Sequence, residues 1–434
     1  MVDMGDDGEI ADVSEVCHAR GYDLVLGFGQ GGLMSKEVSQ TWGSARPKWA
    51  ELESEQALTL AKRMFLRLVP YVFPRTPVNF NAFGNSHFLQ TLRASLLAVC
   101  RNTHNDRALG ITLAGNLLFL HSFAAPKMSG VQINPAWLTT QALEALGSPR
   151  LHMGSRDGQT ADPKDVFEIL GEVLDHYEDA PTDISTSRDE VFSTLAENLG
   201  RDRNASAAGK NLWNLSLFEY SALNKDCAQA WEAFRDFCFL NTDWEFWRDW
   251  YQGFLDGNPL DWGLQRRVAL IDDATWARGP EAVAAEIERI RSRYELEQEI
   301  ANLKEQLTAV QNTPAAALIG DNGGPPLEDA PARAFQTDLA LIWKQIEELE
   351  EEIAKPSPSP SLLEKIAKAL WEISLRMAAY CGSVADGMIR EGTKELAKAG
   401  AKWTARATAV TVTAQTEGVQ SVVKAIGAFV KTLQ

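Results

Sequence analysis

The chain has few cysteines and no cysteine pair at metal-binding spacing. Its five cysteines are odd in number, scattered and without a CxxC pair, which argues against a disulfide framework or a zinc site and favours reduced thiols. The first residues are acidic and lack the apolar segment of a secretion signal. A membrane-spanning helix needs about eighteen consecutive apolar residues, and no apolar run in the chain is that long. We therefore expect a cytoplasmic protein.

Positive charge is scarce over most of the chain. The 434 residues carry a net charge of −17, and binding to nucleic-acid phosphates needs clustered Lys and Arg, so no nucleic-acid partner is expected. Residues 361–434 are the exception, with ten basic against six acidic side chains. A cationic tail therefore follows an acidic body.

Motifs that would identify an enzyme are missing. The six histidines form no HxH, HxxxH or HExxH pattern, and no GxSxG, Walker or HRD motif occurs. Gly27, Gly29 and Gly32 match GxGxxG, but no second strand follows, so a flexible turn is favoured over a dinucleotide site. Cys100 with His104 could form a thiol–imidazole pair, yet Cys100 lies on an apolar helix face, and we interpret it as a buried structural thiol. No catalytic residue, cofactor site or metal site is predicted.

Helical periodicity is the strongest signal present. Apolar residues recur at steps of three and four along most of the chain after residue 50, which predicts a mainly α fold. The densest aromatic stretch predicts a helix with Asp243 as N-cap and Gly257 near its end. One face of that helix carries Trp244, Trp247, Tyr251 and Phe254. Such a stripe could line a ligand groove, but it is more typical of a core, and we interpret it as core.

Three sequence elements follow one another between residues 210 and 330. They are WxxWYxxxLxG from Trp247, IxxxxWxxGP from Ile271 and IGDNGGPP from Ile319. This combination resembles a segment that recurs in a group of uncharacterised alphaproteobacterial proteins. The group has no activity that can be carried over, so the resemblance implies boundaries for this part of the chain and no function.

Two heptad stripes lie on either side of the last element. They predict coiled-coil helices over 281–312 and 334–354, joined by a linker over 313–333. We predict that the stripes mediate self-association, either within one chain or between chains. The residues concerned are Leu296, Ile300, Leu303, Leu307, Val310, Phe335, Leu339, Ile342, Ile346, Leu349 and Ile353. The outer face of the second helix, with Glu347, Glu348, Glu350, Glu351 and Glu352, would keep this association soluble.

A Pro/Ser linker over 355–361 leads into an amphipathic, small-residue-rich helical tail over 362–434. The alanine stripe of the tail permits close helix approach, and its last apolar stripe resembles that of interfacial helices, with Lys424 and Lys431 on the other face. The predicted membrane or partner contacts are Ala401, Ala405, Ala409, Val419, Val422, Val423, Ile426, Val430 and Leu433.

The predicted organisation is therefore an irregular segment over 1–50, a helical domain over 51–210, an aromatic-rich helical subdomain over 211–280, and then the coiled-coil helices and the tail. Two functions suit it. The first is an oligomerising, non-enzymatic effector whose tail engages or permeabilises a membrane, as in a prophage, defence or toxin-like context. The second is a soluble coiled-coil scaffold or adaptor for protein partners. An active site within residues 50–275 is a third hypothesis, which no motif supports.

Overall fold

The computed structural model describes residues 54–72, 85–100, 109, 188–218, 225–312, 330–391 and 417–434. Of these residues 86% are helical and none lies in a strand, which confirms the predicted mainly α fold. The glycine-rich turn at 27–32 and His104 lie outside the described residues.

The described part of the N-terminal body contains seven α-helices. They are α1 (Ser54–Leu68), α2 (Asn85–Cys100), α3 (Arg188–Ala207), α4 (Lys225–Leu240), α5 (Glu245–Asp256), α6 (Trp262–Ala269) and α7 (Asp273–Ala277). Short 3-10 turns follow α1 and precede α4 and α5, at Val69–Val72, Leu212–Asn214 and Thr242–Trp244. Apolar side chains from all seven helices meet in one buried cluster, here called the aromatic core. The predicted segments 51–210 and 211–280 therefore share a core.

Helix α5 lies at the centre of the aromatic core. Trp247, Trp250, Tyr251 and Phe254 are all buried, and the Trp250 ring meets those of Trp247 and Phe254 edge-on at 6.0 and 5.4 Å. Two of their polar atoms have partners: Trp250 Nε1 donates to Gln265 Oε1 at 2.9 Å, and the Tyr251 hydroxyl donates to a carbonyl of α1 at 3.1 Å. Trp247 Nε1 is buried without an acceptor. The interpretation of this stripe as core is confirmed.

The two ends of α5 differ in how well the sequence predicts them. Asp243 is not the N-cap, because a 3-10 turn containing it runs directly into the helix and Trp244 takes the cap position without a side-chain hydrogen bond. The predicted C-terminal end of α5 at Gly257 is confirmed. Gly257 adopts a φ of 70°, and its N–H donates to the carbonyls of Gly253 and Phe254. Glycine suits this left-handed position because it has no Cβ to clash.

Helix α3 is longer than the sequence predicts, since the apolar spacing indicates a helix over 189–199 only. Residues 201–209 read as a polar loop, yet the helix continues through Ala207 and ends in a Schellman motif at Gly209, where the Lys210 N–H donates to the Ala205 carbonyl at 3.0 Å. The loop prediction is wrong because Asp202, on the inner face of this extension, is fully buried against α1. Tertiary contacts thus extend a segment that local composition disfavours.

A second buried cluster lies towards the C-terminus and is here called the C-terminal bundle. It joins the later part of α8 (Pro280–Asn312) to α9 (Ala330–Ala354), α10 (Pro360–Glu391) and α11 (residues 417–431). Helix α8 takes part in both clusters. Val283 and Ile287 contribute to the aromatic core, whereas Leu296 and the following apolar positions contribute to the bundle.

Helices α9 and α10 form an antiparallel hairpin whose connection is the predicted Pro/Ser linker. Glu352 closes it, because its carboxylate accepts from the Ser359 N–H at 2.6 Å and from Lys355 Nζ at 2.5 Å. Arg376 and Asp338 pair at 2.8 Å near the other end of the hairpin. Glu352 is buried, so its prediction as part of the solvated glutamate face is wrong: the backbone of the connection needs its carboxylate.

Candidate functional site

A buried cluster of charged side chains joins α1 to α3. Arg63 and Arg67 lie one turn apart on α1 and both point to Asp202 of α3. Arg63 Nε lies 2.8 Å and Arg67 Nη2 lies 2.6 Å from the same carboxylate oxygen, Asp202 Oδ2. All three side chains are at most 1% exposed. Buried charges are uncommon in proteins unless they are paired, so this cluster is distinctive for a helical protein without a recognised active site.

The same guanidinium groups hold the loop that follows α3. Arg63 Nη1 donates to the carbonyls of Leu212 and Leu215 at 2.7 and 3.1 Å, and its Nη2 donates to that of Ser216 at 2.9 Å. Arg67 Nε donates to the carbonyl of Leu217 at 2.9 Å. Most of these carbonyls belong to residues outside the helices, and buried carbonyls need a donor. The two arginines therefore fix the path of residues 212–217.

Positive charge exceeds negative charge in this cluster. Arg201 adds a third guanidinium, whose Nη2 donates to the Ser216 carbonyl at 2.6 Å and lies 3.4 Å from Asp202 Oδ1. Arg67 Nη1 and Arg201 Nε are buried without a hydrogen-bond acceptor. Burial is the main cause that lowers the pKa of Arg67 to about 10. Burial also opposes ionisation of Asp202, but the charges of Arg67 and Arg63 outweigh it and lower the pKa of this carboxyl.

Gly257 lies directly against the loop of residues 212–217, and substitutions at Gly257 test how tightly this loop is packed. A Cβ at Gly257 would lie 2.6 Å from the backbone of Leu215 and Ser216, whereas one at Gly209, which has nearly the same φ of +71°, would meet open space. Gly209→Ala is expected to cost about 1–2 kcal/mol, the penalty of the left-handed conformation alone. Gly257→Ala is expected to cost about 1–3 kcal/mol more because of overpacking. Urea unfolding followed by tryptophan fluorescence measures both, and equal losses would refute the tight contact.

A cavity of about 350 Å³ opens beside the arginine cluster, between the end of α3 and the loop. The described residues that line it are Arg201, Asn204, Ala205, Ala208, Lys210, Leu215 and Ser216. This lining contains two cations and no carboxylate. The cavity is thus a positive site on a protein of net charge −17.

No sequence motif singles out this cluster. Leu195, Leu199, Asp202 and Ser206 recur at helical spacing on the buried face of α3, but two of the four are polar, so the stripe is not apolar. The spacing is the one signal that could have located Asp202. Nothing in the sequence indicates that its partners are on α1, some 140 residues earlier.

The residues predicted to mediate self-association pack within the C-terminal bundle of one chain. Those that are buried are Leu296, Ile300, Leu303, Leu307, Ile342, Ile346, Leu349 and Ile353. Leu339 is partly buried against them. For Val310 and Phe335 the structure describes only the helical backbone. Lys304 of α8 pairs with Glu350 of α9 at 3.0 Å, so the two heptad stripes meet intramolecularly.

The predicted membrane or partner residues of α11 lie in the same cluster. Val419, Val422, Ile426 and Val430 are buried, together with Phe429, which is not among the predicted contacts. Val423 and Leu433 are partly buried. The predicted contacts Ala401, Ala405 and Ala409 lie outside the described residues. Helix α11 is therefore amphipathic, with exposed Lys424 and Lys431, and the bundle covers its apolar face.

Gly418 of α11 lies directly against side chains of α8. A Cβ there would overlap the side-chain oxygen of Gln306 and lie 3.2 Å from Leu303 Cδ1. Gly427 of the same helix has open space around it. A side chain at position 418 would therefore have to displace that of Gln306.

Two large apolar side chains at the end of α4 face solvent. Phe239 is 80% and Leu240 is 79% exposed, although Trp231, Phe234 and Phe237 of the same helix are buried in the aromatic core. Most large apolar side chains of the described residues lie in one of the two clusters. The adjacent pair, here called the Phe-Leu corner, is therefore an exception that needs an explanation.

The described residues show no arrangement typical of catalysis. They contain no group of three or more His, Cys, Asp or Glu side chains that could hold a metal. Cys100 and Cys238 are buried, and burial raises the pKa of Cys238 to about 12, so this thiol is not ionised at neutral pH. None of the described helices is long and apolar enough to cross a membrane.

Comparison with known proteins adds no relative. The chain matches no protein-family model, no curated protein and no solved structure. Function is therefore inferred from the geometry of the arginine cluster, the bundle and the Phe-Leu corner alone.

Proposed function

We propose that the protein is a non-enzymatic helical scaffold that binds a protein partner through the Phe-Leu corner. The observation that carries this proposal is the exposure of Phe239 and Leu240 on a helix whose other aromatic side chains are buried. Covering two such side chains stabilises a complex by roughly 1.5–3 kcal/mol each. Exposed apolar groups of this size are typical of protein interaction sites.

The surroundings of the corner support a protein partner. Phe237, two residues before Phe239, packs against Trp244 with ring centroids 5.9 Å apart, so the corner stands on the rigid aromatic core. Arg235, Asp236 and Asn241 are exposed around it. An apolar centre with a polar rim is the usual anatomy of a protein–protein interface.

The charge of the chain supports a basic partner. A net charge of −17 attracts a positively charged protein over long range, and this attraction raises the association rate. Added salt screens the attraction, so the association rate of the complex should fall as ionic strength rises. The buried thiol of Cys238, which forms no disulfide, suits action in the cytoplasm.

The double variant Phe239→Ser/Leu240→Ser tests the proposal. A photo-crosslinking residue at exposed position 235 would identify the partner in native cells, and the complex would be rebuilt from purified components. We expect the variant to bind this partner about 100-fold more weakly, because both apolar contacts are lost. Its own stability should change by less than about 0.5 kcal/mol, as for other surface substitutions.

The control is Leu375→Ser, which removes a half-exposed leucine from α10 and should leave the affinity unchanged. Unchanged affinity of the double variant for the rebuilt partner would overturn the proposal. A partner that is acidic, or an association rate indifferent to salt, would contradict the charge argument.

Self-association through α8 and α9 is proposed only as an exchange of helices between two chains. Since both heptad stripes are buried within one chain, a second chain could pair with them only by exchanging helices. Light scattering at increasing protein concentration distinguishes such an exchanged dimer from a monomer.

A membrane-active effector is the second candidate. Helix α11 supports it, because its apolar side chains lie on one face and Lys424 and Lys431 lie exposed on the rest of the helix. Such helices bind anionic bilayers when their apolar face is available. In the bundle that face is covered, so this function requires release of α11. The membrane-active function is therefore tested by asking whether the protein binds vesicles only when α11 is released from the bundle.

A further inference from the structure

The cavity beside the arginine cluster has the size and lining of a small-molecule site. Its volume of about 350 Å³ lies within the range of about 300–1,000 Å³ that is usual for ligand pockets. It lies between the last two turns of α3 and the loop that Arg63 and Arg67 hold in place. Buried hydrogen bonds thus fix the loop wall, and the cavity is open to solvent, since Asn204, Ala208, Lys210 and Ser216 are exposed.

The charge of this cavity is not balanced by the described residues. Arg201 and Lys210 line it, and no carboxylate does. The nearby Asp202 is fully enclosed and already accepts from Arg63 and Arg67. Arg201 reaches it only at 3.4 Å, and Arg201 Nε is buried without an acceptor. An anion in the cavity would compensate this positive charge.

Part of the remaining lining is apolar. Ala205 and Ala208 of α3 and Leu215 of the loop supply aliphatic carbon, and Asn204 and Ser216 add polar groups. A free inorganic ion would leave this aliphatic carbon in contact with water. An anionic group attached to an apolar body would instead use both parts, since apolar burial and charge-assisted hydrogen bonds add to affinity.

We propose that this cavity binds a small organic anion, a carboxylate or phosphate monoester carried on an apolar body. Its anionic group pairs with Arg201 and Lys210, and its apolar body lies against Ala205, Ala208 and Leu215. Binding neutralises part of the excess charge next to Arg67 and stabilises the folded body. The proposal is independent of the Phe-Leu corner.

Isothermal titration calorimetry of the full chain with benzoate, hexanoate and phenyl phosphate tests the site. At least one of them is expected to bind saturably, with one site per chain, and to raise the melting temperature. Benzyl alcohol, which has no charge, and benzylamine, which has the opposite charge, are expected not to bind. Inorganic phosphate is expected to bind more weakly than phenyl phosphate because it has no apolar body.

The variant Lys210→Glu tests whether the anion binds in this cavity. Lys210 is exposed, so its replacement should leave the fold intact while weakening anion binding about tenfold or more. Lys424→Glu makes the same change of charge at an exposed position of α11 and should leave binding unchanged. The proposal is overturned if none of the three anions binds saturably, if Lys210→Glu binds them as the wild type does, or if benzyl alcohol binds as well as benzoate.

Discussion

Asp202→Asn is expected to lower the free energy of unfolding of the body by about 3–5 kcal/mol, the usual cost of removing one partner from a buried ion pair. The carboxylate accepts from both Arg63 and Arg67, and all three side chains are almost fully buried. Without its charge the two guanidiniums are left with carbonyl oxygens alone. Urea unfolding followed by tryptophan fluorescence measures the loss, since most tryptophans of the described residues lie in the aromatic core.

The effect should depend on pH in a defined direction. The pKa of Asp202 is below its ordinary value in the folded protein, so the carboxylate stabilises the fold at any pH above the unfolded value of about 3.9. This contribution is lost as pH falls through the folded pKa. The difference between wild type and Asp202→Asn should therefore be constant at neutral and mildly acidic pH and shrink below about pH 4.

Two further variants separate charge from local packing. Asp236→Asn makes the same replacement at an exposed position of α4 and should change stability by less than about 0.5 kcal/mol. Adding Arg67→Met to Asp202→Asn removes one uncompensated buried charge and should restore part of the stability. Equal stability of wild type and Asp202→Asn, or no recovery in the double variant, would contradict the charge argument.

Gly418→Leu is expected to release α11 from the bundle. A Cβ at this position overlaps the Gln306 side chain, which would have to move, and the larger leucine also meets Leu303, so docking is expected to lose about 1–3 kcal/mol by overpacking. The amides of residues 417–431 should then exchange with deuterium much faster than in the wild type. The substitution leaves the apolar stripe of α11 intact, so the released helix keeps its amphipathic character.

Gly427→Leu is the matched control. It places the same side chain on the same helix, but Gly427 has open space around it, so α11 should stay protected from exchange. Equal protection in both variants would show that Gly418 is not a tight contact. Slower exchange in Gly418→Leu than in the wild type would contradict the docking geometry as well.

The same pair of variants decides between the two candidate functions. If α11 is a membrane-binding element, Gly418→Leu should float with anionic vesicles and release a trapped dye, whereas wild type and Gly427→Leu should not. If the protein is a scaffold, none of the three should bind vesicles, although exchange shows that α11 is free in Gly418→Leu. The second outcome would exclude the membrane-active effector.

The sequence by itself determined the mainly α fold and the positions of many helices. Apolar residues at helical spacing are a local signal, which is why the stripe of Trp247, Tyr251 and Phe254 was read correctly as core. The end of α5 at Gly257 is also local, since a positive φ favours glycine whatever surrounds it. The heptad stripes of α8 and α9 likewise follow from spacing alone.

The tertiary structure decided which polar residues are buried and which stripes meet. Asp202 and Glu352 look like solvated acids in the sequence, but one accepts from arginines far away in the chain and the other from the connection between two helices. The partners of an apolar stripe are equally undetermined, because another chain, a bilayer or the same chain can cover it. In this protein the stripes of α8 to α11 cover one another, since nearby helices of one chain meet at a much lower entropic cost than separate molecules do.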